Sequence, residues 1–279
     1  MRSSSLLAVT FLSTFGHALL GCSSASANAL PQPDAATEHP DASSAHDSSD
    51  ASKSSKDAAT PPYTVLITGT LASSATDSAS LYASVVGATN AQAQAGGDTA
   101  RTAFLNKDPL SDAGDAASAP HEALTIDTWT SLGGWSDFMA TSAEKSFLAQ
   151  FYTGAPDVST WQTQAGFTTW GTPADFTAGP SSYVITLRGR YMGDLATAMA
   201  THNGIVSSIP APGPQALGNS AHLIFGNPAD SGEMLIVEAW TNEANQEQAY
   251  SELAPALAKL WASMPAITRW SATDWAVWP

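Results

Sequence analysis

Two short strings set a carboxylate two residues before an indole: Asp127-Thr128-Trp129 near the middle of the chain and Glu238-Ala239-Trp240 near its end. In an extended strand, residues two apart share a face. Each pair therefore puts a potential general base beside an aromatic wall, suited to taking a proton from an aromatic substrate. The competing reading is structural: the indole fills the core while the carboxylate caps a neighbouring backbone group or meets solvent. Two histidines extend the set, His202 on a helical segment and His222 on the strand after it. Either could serve as acid, base or haem ligand, or as a hydrogen-bonded structural residue. Pairing Gly87 with Gly204 puts Val85 at the place of His202 and Ala103 at that of His222. A reactive site is therefore expected in the second half, with His222 and Glu238 as catalytic candidates. Tyr183, His202, Trp240, Trp129 and Asp127 are the candidates for ligand contact.

Other chemistries lack their motifs. There is no Gly-x-Ser-x-Gly elbow, no Gly-x-Gly-x-x-Gly and no Gly-rich phosphate loop, and His121-Glu122 is not followed by the second histidine of a zincin. A lone cysteine allows neither an intramolecular disulfide nor a thiolate metal site. No metal and no cofactor are therefore expected. Arg188 and Arg190 could form a small anion spot or simply a solvated strand face. A net charge of −15 argues against nucleic acid, whose phosphates call for a basic face.

The elements that must position these residues occur twice. Glu122-Ala-Leu-Thr-Ile-Asp127-Thr-Trp129 is matched by Glu233-Met-Leu-Ile-Val-Glu238-Ala-Trp240, and Pro156-Asp-Val158-Ser-Thr-Trp161 by Pro265-Ala-Ile267-Thr-Arg-Trp270. The opening strands Tyr63-Thr-Val-Leu-Ile-Thr-Gly69 and Tyr183-Val-Ile-Thr-Leu-Arg-Gly189 also match. Between them lie Ala-rich helical segments (79–88, and 194–205 capped by Asp194) and short strands, 102–105 ending at Asp108-Pro109 and 222–225 ending at Asn227-Pro228. An amphipathic helical region follows each Trp. In the second copy Pro255 interrupts it, which predicts two short helices or a kink. The order in each copy is β-α-β-β-α-β, the ferredoxin-like unit. The fold class is thus α+β: two tandem ferredoxin-like repeats, 63–171 and 181–279, forming a pseudo-two-fold α/β barrel. One such chain supplies both halves, so a monomer with an internal pseudo-dimer is expected over a homodimer.

The amino-terminal region carries an address. Met1-Arg2 and the apolar run Leu6 to Leu20 read as a signal peptide over 1–21. The run ends Leu19-Leu20-Gly21-Cys22, which resembles the lipobox of bacterial lipoproteins. The resemblance implies lipidation of Cys22 and a membrane anchor at the cell envelope, sorted to the outer membrane where the cell has two, since Ser23 rather than Asp follows. Residues 22–62 are Ser, Ala, Asp, Pro and Thr with almost no large apolar side chain, and read as a disordered tether.

The two copies resemble the antibiotic-biosynthesis-monooxygenase-like members of the dimeric α/β-barrel superfamily. The resemblance rests on the acidic-x-Trp strand, the helix after it and the Pro-x-Val/Ile-x-x-Trp strand. It is carried further by Thr201-His202-Asn203-Gly204 and His222-x-x-Phe225. It implies a barrel that binds a small apolar or aromatic molecule in its interior, with or without cofactor-independent oxidation. A cavity lined by Trp240, Tyr183, His222 and Glu238 is expected. Two alternatives stand beside it: a solid structural or interaction lipoprotein, and a haem-binding barrel with His202 or His222 open to the cavity.

Overall fold

The computed structural model describes residues 62–106, 122–177, 183–209, 213–273 and 275. Cys22, the tether before Pro62, Asp108-Pro109 and His121 lie outside the described residues.

Each repeat builds a four-stranded antiparallel sheet with helices on one face. The first comprises β1 (Tyr63–Thr70), α1 (Ala75–Ala95), β2 (Asp98–Asn106), β3 (Glu122–Trp129), α2 (Leu132–Met139), α3 (Ser142–Phe151) and β4 (Asp157–Thr163). The second comprises β5 (Tyr183–Arg190), α4 (Leu195–Ser208), β6 (Asn219–Asn227), β7 (Asp230–Trp240), α5 (Glu243–Leu257) and β8 (Ala266–Ala272). The sheets join at both edges, β2 to β8 and β4 to β6, into a closed barrel of order β1-β3-β2-β8-β5-β7-β6-β4. Closure removes the unpaired edges that two open sheets would leave.

Helix starts follow from side-chain caps that satisfy orphan backbone N–H groups. Ser74 accepts from the Asp77 N–H and Asp194 from that of Thr197, as expected for Asp194, while Asn242 opens α5. Pro255 does not split α5, which runs unbroken from Glu243 to Leu257 with Pro255 in its last turn. The break comes in the first repeat, where Thr141 caps a new helix after α2 ends at Met139.

Strand alternation sends the two repeated tryptophans to opposite faces. Trp161 and Trp270 point into the barrel with Leu66, Leu124, Ile126, Leu235 and Val237, and their indole N–H groups are held by Ser159 and Thr186 hydroxyls. Trp129 and Trp240 point outward, beneath the helices, where each repeat has its own apolar core. The barrel interior is therefore packed side chains. The expectation of a ligand inside the barrel is corrected: the acidic-x-Trp face looks toward the helices.

Candidate functional site

The strand register decides which residues meet the repeated carboxylates. In both repeats the second strand carries a bulge, between Asp98 and Ala100 in β2 and between Asn219 and Ala221 in β6. Beyond it Arg101 stands opposite Asp127 and His222 opposite Glu238. Directly opposed residues share a face and touch. The place of His222 is thus held by Arg101, not Ala103. The helix caps give the second correction: Ser74 and Asp194 start α1 and α4, and eight residues on from each come Tyr82 and His202. Tyr82, not Val85, takes the place of His202. The Gly87–Gly204 match misaligned the helices because α1 is longer, 21 residues against 14 in α4.

These substitutions give the two repeats different interiors. In the first, Arg101 donates to both Asp127 oxygens at 3.0 and 2.8 Å, with both side chains buried. Its guanidinium lies 5.3 Å from the Phe138 ring centre. Asp98 and Glu144 crowd the same charge. Burial, then the Asp127 charge, pushes the Asp98 carboxyl up to about 8. Burial pushes Glu144 up to about 7 against the pull of Arg101. Trp135, Phe147, Phe151 and Trp275 fill the rest, with the Trp275 ring tilted against Tyr82 at 5.5 Å. Asp127 and Trp129, candidates for ligand contact, are core residues here. Trp129 packs on Trp135 and Phe138.

The second repeat keeps a chain of hydrogen bonds instead. Glu238 Oε1 meets His222 Nδ1 at 2.7 Å, and His222 Nε2 meets His202 Nε2 at 2.8 Å. The other carboxylate oxygen of Glu238 accepts from the Trp240 indole at 2.8 Å and the Tyr250 hydroxyl at 2.9 Å. Burial alone would raise the Glu238 carboxyl, but the bonds from His222, Trp240 and Tyr250 outweigh it and hold the group below its ordinary value. Burial, reinforced by His222, lowers His202 to about 4, so His202 is neutral near pH 7. Burial and the Glu238 charge raise Tyr250, which stays a phenol. The segment after β4 crosses over from the first repeat as a roof: Trp170 stacks on His222 at 4.6 Å and Phe167 meets His202 edge-on at 5.3 Å.

A cavity of about 60 Å³ opens between this chain and the helices, walled by Leu187, Ile205, Ile236, Leu253 and Leu257 around His202, His222, Glu238, Trp240 and Tyr250. Three of the four residues expected to line a cavity do so, on the outer face of the sheet. Tyr183 does not; its hydroxyl lies 3.4 Å from both the Asn242 carbonyl and the Gln246 side-chain oxygen. The arginines form no anion spot. Arg188 pairs with Glu233 and Asp157, and Arg190 with Asp230.

A closed eight-stranded barrel made of two helix-covered ferredoxin-like sheets is the arrangement shared with known structures. The chain resembles a candidate monooxygenase from Fusobacterium nucleatum at 9% identity and TM-score 0.53, over 78% of this chain and 94% of that one. It resembles a candidate chlorite dismutase at 9% identity and TM-score 0.50, over 77% and 96% of the two chains. The chain has the dimeric α/β-barrel fold. The sequence matches no protein-family model and no curated protein. At such identity the likeness concerns the barrel, and activity must be argued from the site.

Sequence reasoning missed Tyr250, Trp170, Asn219, whose side-chain oxygen accepts the Trp170 indole N–H at 3.0 Å, and Asn203, whose side-chain oxygen lies 3.2 Å from His202 Nδ1. Tyr250 lies in α5 beside Leu253 and Leu257, where helical spacing alone reads as core. Trp170 belongs to the first repeat by sequence and reaches the site only through barrel closure. Aligning the helix caps rather than the glycines places Tyr82 but puts Thr102 at the place of His222; the strand register alone selects Arg101.

Proposed function

We propose that the second repeat of this α/β barrel binds a small apolar or aromatic molecule in the cavity beside His202 and His222. One observation carries this reading. The same register positions hold a closed Arg101–Asp127 ion pair with aromatic fill in one repeat, and a histidine–carboxylate chain open to an apolar cavity in the other. Apolar walls with a few convergent polar groups are the general form of a small-molecule site. At about 60 Å³ the cavity takes a few waters, less than half of the roughly 150 Å³ that holds a benzene ring. A larger ligand needs α5 to move. That helix buries only Gln246 fully, whereas α1 buries five residues. A haem would need far more room, and the His202–His222 bond would have to break to free a ring nitrogen for iron. The histidine chain equips the site for proton exchange with a ligand oxygen, the step that cofactor-independent oxidation of an aromatic requires. Anchoring through Cys22 at the cell envelope is part of the proposal, tested by loss of labelled-palmitate incorporation in Cys22→Ser.

The test is a thermal-shift and native-mass titration of the full chain with toluene, phenol and 1-naphthol, with oxygen uptake recorded alongside. Ligand at one hundred times its Kd adds about 2.7 kcal/mol of stability. Leu253→Trp, which fills the cavity, should abolish the shift. A wild-type protein that ignores every compound, or a shift that Leu253→Trp leaves unchanged, refutes the reading. A Soret band in protein isolated from the cell envelope would replace it with the haem alternative.

A further inference from the structure

The orientation of one amide sets the proton count of the whole histidine chain. Asn203 Nδ2 donates to the Gly166 carbonyl at 2.9 Å, and its Oδ1 accepts the Thr168 backbone N–H at 2.7 Å. Both partners are fixed backbone groups of the crossing segment, so the amide cannot be turned round without losing two bonds. Its oxygen also faces His202 Nδ1 at 3.2 Å. A carbonyl-type oxygen only accepts, so His202 Nδ1 must carry a hydrogen. His202 is neutral, and its Nε2 is then a bare lone pair. The 2.8 Å contact to His222 Nε2 requires His222 to donate there. At its other nitrogen His222 meets Glu238, whose second oxygen already accepts from Trp240 and Tyr250. Each of the three links, Asn203–His202, His202–His222 and His222–Glu238, thus holds one proton. Two neutral imidazoles beside a carboxylate carry two protons in total, so this chain stores one more.

We infer that Asn203 is a positioning residue that fixes the His202 tautomer and so leaves His222 an imidazolium, paired with Glu238, in the cavity wall. This deepens the proposed small-molecule site and names its ligand class: a ring bearing an oxygen that accepts a proton or carries negative charge, as in phenols, phenolates and enolates. The groups facing His222 are Glu238 from β7, His202 from α4 and the stacked Trp170 from the crossing segment. Tyr250 from α5 acts on it through Glu238. None supplies a competing cation. The stored proton cannot be displaced by a hydrocarbon, which has no acceptor to offer. Both N–H groups of His222 are engaged, with Glu238 and with His202, so a ligand binds to the chain only by opening the His202–His222 bond. A phenol hydroxyl can insert there, accepting from His222 Nε2–H and donating to His202 Nε2, and toluene cannot. Phenol should therefore bind about fivefold more tightly than toluene of the same shape, the worth of one net hydrogen bond gained.

Ring-nitrogen NMR on the full chain with labelled histidine tests the proton count without any ligand. Signals are assigned through His202→Gln and His222→Gln. At pH 7 the expected pattern is a neutral Nδ1–H ring for His202 and a doubly protonated ring for His222. Asn203→Leu should let His202 move its hydrogen to Nε2 and return His222 to a neutral ring. Asn203→Asp keeps an acceptor oxygen for His202 Nδ1 but loses the bond to the Gly166 carbonyl, so it should keep the hydrogen on His202 Nδ1 where Asn203→Leu does not. A neutral His222 in the wild type, or an Asn203→Leu spectrum identical to it, overturns the inference. A phenol-to-toluene ratio near one with the predicted spectrum overturns the ligand class alone. Failure of both compounds to bind counts against the proposed function and leaves the spectrum to decide the proton count.

Discussion

Removing Arg101 isolates what the first repeat contributes, and its cost should depend steeply on pH. The guanidinium is buried and sits within reach of three carboxyls: bidentate to Asp127, 3.8 Å from Asp98 and close enough to Glu144 to lower its pKa. Arg101→Met keeps much of the volume and the packing against Phe138 but deletes the cation that faces all three carboxyls. Breaking a buried pair by removing one partner costs about 3–5 kcal/mol because a charge is left uncompensated. That cost presupposes that Asp127 stays ionised. Burial already pushes its carboxyl up, and without Arg101 it can take a proton instead. The full cost should therefore appear at pH 8 and shrink to about 1 kcal/mol at pH 5. Arg101→Met combined with Asp127→Leu should lie close to wild type at both pH values, since replacing both partners with apolar groups is often neutral. Urea titrations at pH 5 and 8 on the four proteins of the cycle read this directly. For a folded part of this size, 3–5 kcal/mol also corresponds to a fall in Tm of roughly 6–20 °C. Three single results would refute the reasoning: a pH-independent loss, a loss below about 1 kcal/mol at pH 8, or a double variant as unstable as Arg101→Met.

Two further outcomes follow from the titrating groups. Asp98 is held near 8 against an ordinary 3.8, so the folded state keeps a proton that the unfolded chain releases. Its contribution to stability is complete below about pH 4 and is lost as pH rises toward 8. Asp98→Asn should therefore stabilise the protein at pH 8 and change little at pH 4, measured by urea midpoint. His202 has the opposite sign: lowered to about 4 from 6.5, it is a base that the unfolded chain protonates first. Stability tied to it is present above pH 6.5 and lost on acidification toward pH 4, by about 3 kcal/mol from the shift of roughly 2.5 units. His202→Gln should flatten that acid-side loss in a midpoint-against-pH series; an unchanged slope would count against the burial argument.

The duplication was readable because both copies obey the same constraints in the same order. Tyr63 and Tyr183 open strands, Trp129 and Trp240 close them, and Trp161 and Trp270 return to the barrel. Alternation along β3 and β7 correctly split Leu124 and Ile126 from Asp127 and Trp129, since a strand has only two faces. It could not say which face the helices would cover. That choice moved the expected site from the barrel interior to the helix side. The histidine candidates His202 and His222 were visible from residue type, and Glu238 from its repeat. Their contact was not.

Sequence by itself determined strand alternation, the cap at Asp194 and the acidic-x-Trp string, which depend on residues within a few positions of each other, and the repeat, which shows as the same strings recurring in the same order; the cap at Ser74 came from the structure. Only tertiary structure decided the rest. A one-residue bulge in β2 and β6 chose Arg101 and His222 as carboxylate partners, because cross-strand pairing reads register rather than spacing along the chain. Barrel closure brought Trp170 and the Gly166–Thr168 backbone from one repeat onto His222 and Asn203 of the other. The proton count of the site thus depends on contacts more than thirty residues apart in sequence, and such contacts leave no local pattern to read.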